Sequence, residues 1–138
     1  MPVQIADKGQ VMNDFQWARL DHIQIAISPG SEEACRSFYC GLLGWNEVSK
    51  PASLAGRGGL WLRTATFEIH LGVEQDFRPA RKAHPAFTLK KLDELATKLL
   101  ENGHSVVWDD VLPGRRRFFS YDNEGNRLEF IEVADDSS

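Results

Sequence analysis

Apolar and polar residues alternate with a period of two along residues 20–27. Asp21, Ile23, Ile25 and Ile27 share one face, and Leu20, His22, Gln24 and Ala26 share the other. The β-branched content predicts a strand. Ser28-Pro29-Gly30-Ser31 stops it, and Ser31 followed by Glu32 and Glu33 reads as a capped helix start with carboxylates at its positive end. That helix is expected to run to about Cys40, with Ala34, Phe38 and Leu42 as its apolar stripe, and to end at Gly41 and Gly44. Residues 45–49 read as a short strand and 51–59 as a loop. Residues 60–64 and 66–73 read as a hairpin in which Phe67, Ile69 and Leu71 face one way and Glu68, His70 and Gly72 the other.

The polar stretch 74–83, with Pro79 inside it, reads as a linker. Residues 84–89 then form a strand, with Phe87 and Leu89 opposite His84, Ala86 and Thr88. Leu92, Leu95, Leu99 and Leu100 mark an amphipathic helix closed by Asn102-Gly103. Three more strands follow at 105–108, 116–121 and 127–133, separated by Pro113-Gly114 and by Asp122-Asn123-Glu124-Gly125. The order β-α-β-β-β therefore occurs twice. It predicts an α+β chain with one domain at 19–135, built of half-modules at about 19–74 and 83–135. An N-terminal extension at 1–18 precedes it, whose Phe15 and Trp17 pack on the body or reach a partner subunit.

The repeat gives four polar residues matching places. His22 and His84 each fall on the first strand of a half, and His70 and Glu129 on the last; 48 positions separate the first pair and 45 the second. A buried carboxylate without a partner carries several kcal/mol of desolvation, roughly. A divalent cation compensates it, and imidazole with carboxylate suits Zn, Ni, Fe, Mn or Co. Each histidine alone reads more readily as a hydrogen-bonded core or surface residue than as a ligand. All four converge only if the two sheets curl into one trough. His104 follows Gly103, has no counterpart in the first half, and reads as a solvated helix-end residue.

Composition narrows the classes. The chain is 42% hydrophobic and 26% charged, as in ordinary globular domains, and its net charge of −4 offers no broad basic face to nucleic acid. The run Arg115-Arg116-Arg117 is either a solvated turn or an anion contact. Cys35 and Cys40 point in different directions on a helix, so no disulfide is expected, and a reducing, cytoplasmic setting is. No apolar run reaches the roughly 20 residues of a membrane span.

Five stretches carry a resemblance: Leu20-Asp21-His22-Ile23-Gln24-Ile25; Ser37-Phe38-Tyr39-Cys40-Gly41-Leu42-Leu43-Gly44-Trp45; Phe67-Glu68-Ile69-His70-Leu71; His84-Pro85-Ala86-Phe87; and Asp122-Asn123-Glu124-Gly125-Asn126-Arg127-Leu128-Glu129-Phe130. In this order they resemble the vicinal-oxygen-chelate superfamily, the glyoxalase/bleomycin-resistance/dioxygenase family, over about residues 19–133. The resemblance implies paired βαβββ modules and a divalent metal ion held by His22, His70, His84 and Glu129. It also implies a small-molecule substrate and a homodimer in which His22 and His70 of one subunit meet His84 and Glu129 of the other. The implied chemistry is a lyase or isomerase working through an enediolate-like intermediate, with Glu129 as catalytic base. His70 departs from the family pattern, since glyoxalase I and methylmalonyl-CoA epimerase carry glutamate or glutamine there. Two alternatives stand beside this one. The first is an extradiol-type dioxygenase using His22, His84 and Glu129. The second is a non-catalytic drug-binding resistance protein. Thiol transfer to fosfomycin would need a cation-binding loop that the sequence does not display. Arg117 and Arg81, with Arg78 and Lys82 nearby, are candidate contacts for an anionic substrate. Trp61 and Phe119 either wall the trough or pack in the core.

Overall fold

The computed structural model describes residues 14–133, together with the backbone of β1 (Gln4–Ile5) and β2 (Val11–Met12), which pair antiparallel. Half of the expected 1–18 extension, and the end of the expected domain at 134–135, lie outside the described residues. Phe15 and Trp17 meet edge to face, and both are exposed, Trp17 at 89%.

The first half runs β3 (Ile23–Ile27), α1 (Glu32–Cys35), β4 (Asn46–Val48), β5 (Leu60–Arg63) and β6 (Glu68–Val73). The second runs β7 (Ala86–Leu89), α2 (Leu92–Glu101), β8 (Val107–Asp109), β9 (Arg117–Tyr121) and β10 (Arg127–Glu132). The first sheet is ordered β3-β6-β5-β4 and the second β7-β10-β9-β8. In each, the first and last strands of the half pair in parallel and the other neighbours antiparallel. The βαβββ repeat is therefore present in both halves, and among the described residues no strand pairing joins the two sheets.

Several elements differ in detail from the pattern. β3 begins at Ile23, where its parallel register with β6 begins opposite Ile69. Leu20, Asp21 and His22 thus precede the strand. His84 and Pro85 precede β7 in the same way. Helix α1 keeps α geometry for one turn and then widens into a π-helical segment, Arg36–Leu42. The wider winding rotates the buried stripe to Cys35, Phe38 and Tyr39 and leaves Ala34 exposed. Ser31 makes no side-chain cap; its hydroxyl donates instead to the Ser28 carbonyl at 2.7 Å. The 51–59 loop contains a 3₁₀ turn, Ala52–Arg57. In α2 the buried face is Leu92, Ala96 and Leu99, while Leu100 is 57% exposed. His104 is half-buried, its ring set against Phe38 at 4.8 Å.

One apolar core spans both halves: Ile25, Ile27, Phe38, Leu60, Leu62 and Leu71 from the first join Phe87, Leu99, Phe118, Leu128 and Phe130 from the second. A polar staple closes the same seam. Buried Asp122 accepts from the Tyr39 hydroxyl at 2.6 Å, from the Glu124 and Asn126 amides at 2.8 and 2.9 Å, and from Asn126 Nδ2 at 3.0 Å. Asn126 Nδ2 also donates to the Ala26 carbonyl at 2.9 Å, and Ser28 N–H donates to Glu124 at 2.7 Å. The Asp122 turn thus ties β10 to β3 and to the π-helical segment that follows α1.

Candidate functional site

On each sheet the face turned away from the helices carries the polar residues. Register places them in matching positions. His70 lies opposite Gln24 on one side and Trp61 on the other; Glu129 lies opposite Ala86 and Phe119. His22 precedes Gln24 by two positions, and His84 precedes Ala86 by two. The four residues singled out in the sequence therefore occupy equivalent places in the two halves, and so do Trp61 and Phe119.

In the first half these side chains form a column. The indole of Trp61 stacks on His70 with centroids 4.0 Å apart and planes 6° apart, and His70 stacks on His22 at 3.9 Å and 18°. His70 Nε2 lies 2.6 Å from Glu68 Oε2, and His22 Nδ1 lies 2.8 Å from Asp21 Oδ2. The hydrogen bond from His70, then that from Arg63, pull the Glu68 carboxyl below its ordinary range. The trough-facing Gln24 lies across Gly72, its Nε2 2.6 Å from where a Cβ at that glycine would stand. A larger residue at 72 would push Gln24 out into the trough.

In the second half the Glu129 amide donates to the Pro85 carbonyl at 3.1 Å, which extends the β7–β10 ladder toward His84. His84 Nε2 reaches Glu129 Oε1 at 2.8 Å. Its Nδ1 lies 2.7 Å from the Lys82 carbonyl, a group that only accepts, so Nδ1 carries the proton and donates. Nε2 is then the nitrogen that donates to Glu129 in the metal-free chain, and an ion bound there would take the place of that proton on a ring already oriented through Nδ1. Arg117 Nη1 donates to Glu129 Oε2 at 2.9 Å, and Arg117 Nη2 donates to Asp109 at 3.1 Å. Phe119 is buried against this group, with the His84 ring edge-on at 5.4 Å.

Burial acts on Glu129 to raise its carboxyl pKa, but the hydrogen bonds from His84 and Arg117 outweigh it and the net shift is downward. Because the folded pKa is depressed, this pair stabilises the fold above the ordinary glutamate pKa, and the contribution is lost as pH falls through the lowered value. Arg117→Ala removes one of the two bonds that lower it. Carbon NMR of the Glu129 carboxyl in chelator-treated protein is expected to show its midpoint move to higher pH in the variant. An unmoved midpoint would mean that Arg117 does not hold the charge.

The two pairs do not merge within one chain. Among the described residues no three His, Cys, Asp or Glu side chains gather closely enough to hold a metal ion. His22 lines a cavity of about 660 Å³ with Glu68, Arg63 and Pro85. His84 lines a different one of about 480 Å³ with Gln24 and Arg127. His22 and His70 lie face to face, 3.9 Å between ring centroids. One chain thus offers two half-sets of nitrogen and oxygen donors.

The remaining candidates separate clearly. Trp61 is half-buried on the trough face. Arg81 is exposed in the linker. The run 115–117 divides: Arg116 pairs with Asp93 and Glu132, Arg117 with Glu129 and Asp109, and Arg115 is exposed. Sequence reasoning missed Glu68 and Arg127. Both share a strand face with His70 or Glu129 at i−2, and that spacing was the available signal.

Solved structures carry the same architecture. A glyoxalase family protein from Bacillus anthracis is 43% identical, with a TM-score of 0.81, over 88% of this chain and 98% of that one. The chain belongs to the glyoxalase family. It therefore sits in the vicinal-oxygen-chelate superfamily. Two more distant structures share the fold. The genomically encoded fosfomycin resistance protein of Listeria monocytogenes is 15% identical, with a TM-score of 0.71, over 86% of this chain and 96% of that one. A glyoxalase/dioxygenase from Nostoc punctiforme is 23% identical, with a TM-score of 0.64, over 81% and 90%. No family model and no curated protein matches the chain. Among the described residues no helix is long and apolar enough to cross a membrane.

Proposed function

We propose that this glyoxalase family member is a divalent-metal-dependent lyase or isomerase acting on a small substrate with two vicinal oxygens, and that its site is completed by a second copy of the chain. One observation carries the reading. His22 with His70, and His84 with Glu129, occupy register-equivalent places on two trough faces, yet among the described residues neither pair gathers with a third donor closely enough to hold an ion. Joining unlike halves of two copies brings three imidazoles and one carboxylate together. That donor set suits Zn, Ni, Fe, Mn or Co. The bound ion supplies Lewis-acid polarisation of the paired substrate oxygens.

The chain's own residues do the rest. Glu129 takes the proton from the carbon beside the carbonyl. Arg117 keeps that carboxylate ionised and aimed, and the Lys82 carbonyl keeps His84 in one tautomer. Trp61 and Phe119 wall the reacting space, and Arg81 meets substrate at the mouth. Free Cys35 and Cys40 fit a reducing, cytoplasmic setting.

His70 favours a second reading. Its Nε2 is already engaged by Glu68, which leaves His22, His84 and Glu129 as a two-histidine, one-carboxylate set of the extradiol dioxygenase kind. Metal analysis of protein purified without chelator, with light scattering for subunit number, tests the proposal. A dimer with about one ion per chain is expected; a metal-free monomer would leave a ligand-binding protein instead. His70→Ala separates the two metal readings. Metal affinity falls about tenfold or more if His70 is a ligand, and is unchanged if the three-donor set is the site.

A further inference from the structure

Arg127 stands apart from the other trough arginine. Arg117 spends both terminal nitrogens on Glu129 and Asp109. Arg127 makes no side-chain hydrogen bond or ion pair among the described residues, and its Nε is buried without a partner. Its guanidinium is held flat rather than loose: the Cζ sits 4.1 Å over the ring of Phe119, the side chain that also meets His84. A guanidinium fixed in this way, with N–H groups still unspent, is built to receive a planar or tetrahedral oxyanion.

The space in front of it fits. Arg127 and His84 share the cavity of about 480 Å³ between the two halves, walled on its outer side by residues 74–83. Arg78 projects from that segment onto the same cavity, and it too has no carboxylate partner among the described residues. Glu74 is the single carboxylate on the wall, so the lining carries a positive balance. Gln24 and Asn126 add amides.

We propose that Arg127, with Arg78 on the same cavity, forms an oxyanion subsite that seats a carboxylate or phosphate group of the substrate beside His84. This deepens the metal-enzyme reading by naming a substrate class, and as a substrate subsite it rests on that reading. The anion contact itself does not need the metal. Arg117, whose charge is already spent within the chain, serves Glu129 instead.

The test uses the full-length protein, both as purified and after chelation, with metal content measured on the same samples. Inorganic phosphate and acetate are titrated at constant ionic strength, so that general screening stays fixed. The Arg Nε–H resonances are followed by nitrogen–proton NMR. The Arg127 peak, identified by its loss in Arg127→Lys, is expected to shift saturably, and the anion that saturates lower names the source. Read from the His84 ring resonances, phosphate affinity falls about tenfold or more in Arg127→Ala. Arg127→Lys, which keeps the charge but loses the fork, falls in between, and Arg57→Ala is unchanged. A peak unmoved by either anion, or an affinity indifferent to Arg127→Ala, overturns the proposal. Anion binding with no metal in any sample would fell the metal reading and leave the subsite standing; metal bound with no anion response would do the reverse.

Discussion

Two variants that each bind no metal are expected to regain it when mixed. His22→Ala/His70→Ala protein lacks one half-set, and His84→Ala/Glu129→Gln protein lacks the other. In a crossed dimer, neither variant alone forms a complete site. After subunit exchange, random pairing makes about half the dimers mixed, and each mixed dimer joins the intact half-set of one chain to the intact half-set of the other. The mixture should therefore bind about one ion per four chains, against about one per chain in the parent protein. Elemental analysis after gel filtration reads the result, and circular dichroism checks that both variants fold. A mixture that stays empty would show that the site is not shared between copies. Parent-level metal in either variant alone would show that these four residues are not the ligands. The expectation follows from geometry: His22 and His84 line different cavities, and among the described residues no three donors gather closely enough to hold an ion.

The second large effect is on stability. Asp122→Ala is expected to cost about 3–5 kcal/mol, because it strands four donors at the seam between the halves. The Tyr39 hydroxyl, the Glu124 and Asn126 amides and Asn126 Nδ2 all point at its two oxygens. In a chain of this size that lowers Tm by roughly 10–15 °C. Tyr39→Phe should cost less, about 1–2 kcal/mol, since Asp122 keeps its other three partners. Calorimetry of both variants checks the order. Asp122→Ala with a Tm within about 3 °C of the parent would mean the apolar core alone joins the halves. Because the seam sets where β3 stands against β7, the same variant should also disturb the His84 cavity.

The outcome for the sequence reading divides along a physical line. Strand faces were legible because the side-chain period in a strand is two, so Ile69 and Leu71 had to oppose His70, and Phe87 and Leu89 had to oppose His84. Element ends were less legible. Leu20 alternates in phase with β3 but finds no partner strand, and pairing rather than alternation decides where a strand begins. The helix after Ser31 shows the same limit: its sequence suits an α-helix, and packing of Phe38 and Tyr39 into the core drew it into wider π winding. Glu68 and Arg127 escaped notice because a charged residue on a strand reads as solvated until a neighbouring ring or an empty guanidinium face gives it work.

By itself, then, the amino-acid sequence determined the twofold βαβββ order, the apolar faces and the equivalence of His22 with His84 and of His70 with Glu129. All of these follow from local periodicity and a repeat. Only the tertiary structure decided which of those groups meet. Contacts between distant positions depend on how two separate sheets dock, and no local pattern encodes that distance. Folding stacked His70 between Trp61 and His22, gave Arg117 to Glu129, left Arg127 without a partner, and kept the two half-sets apart in a single chain.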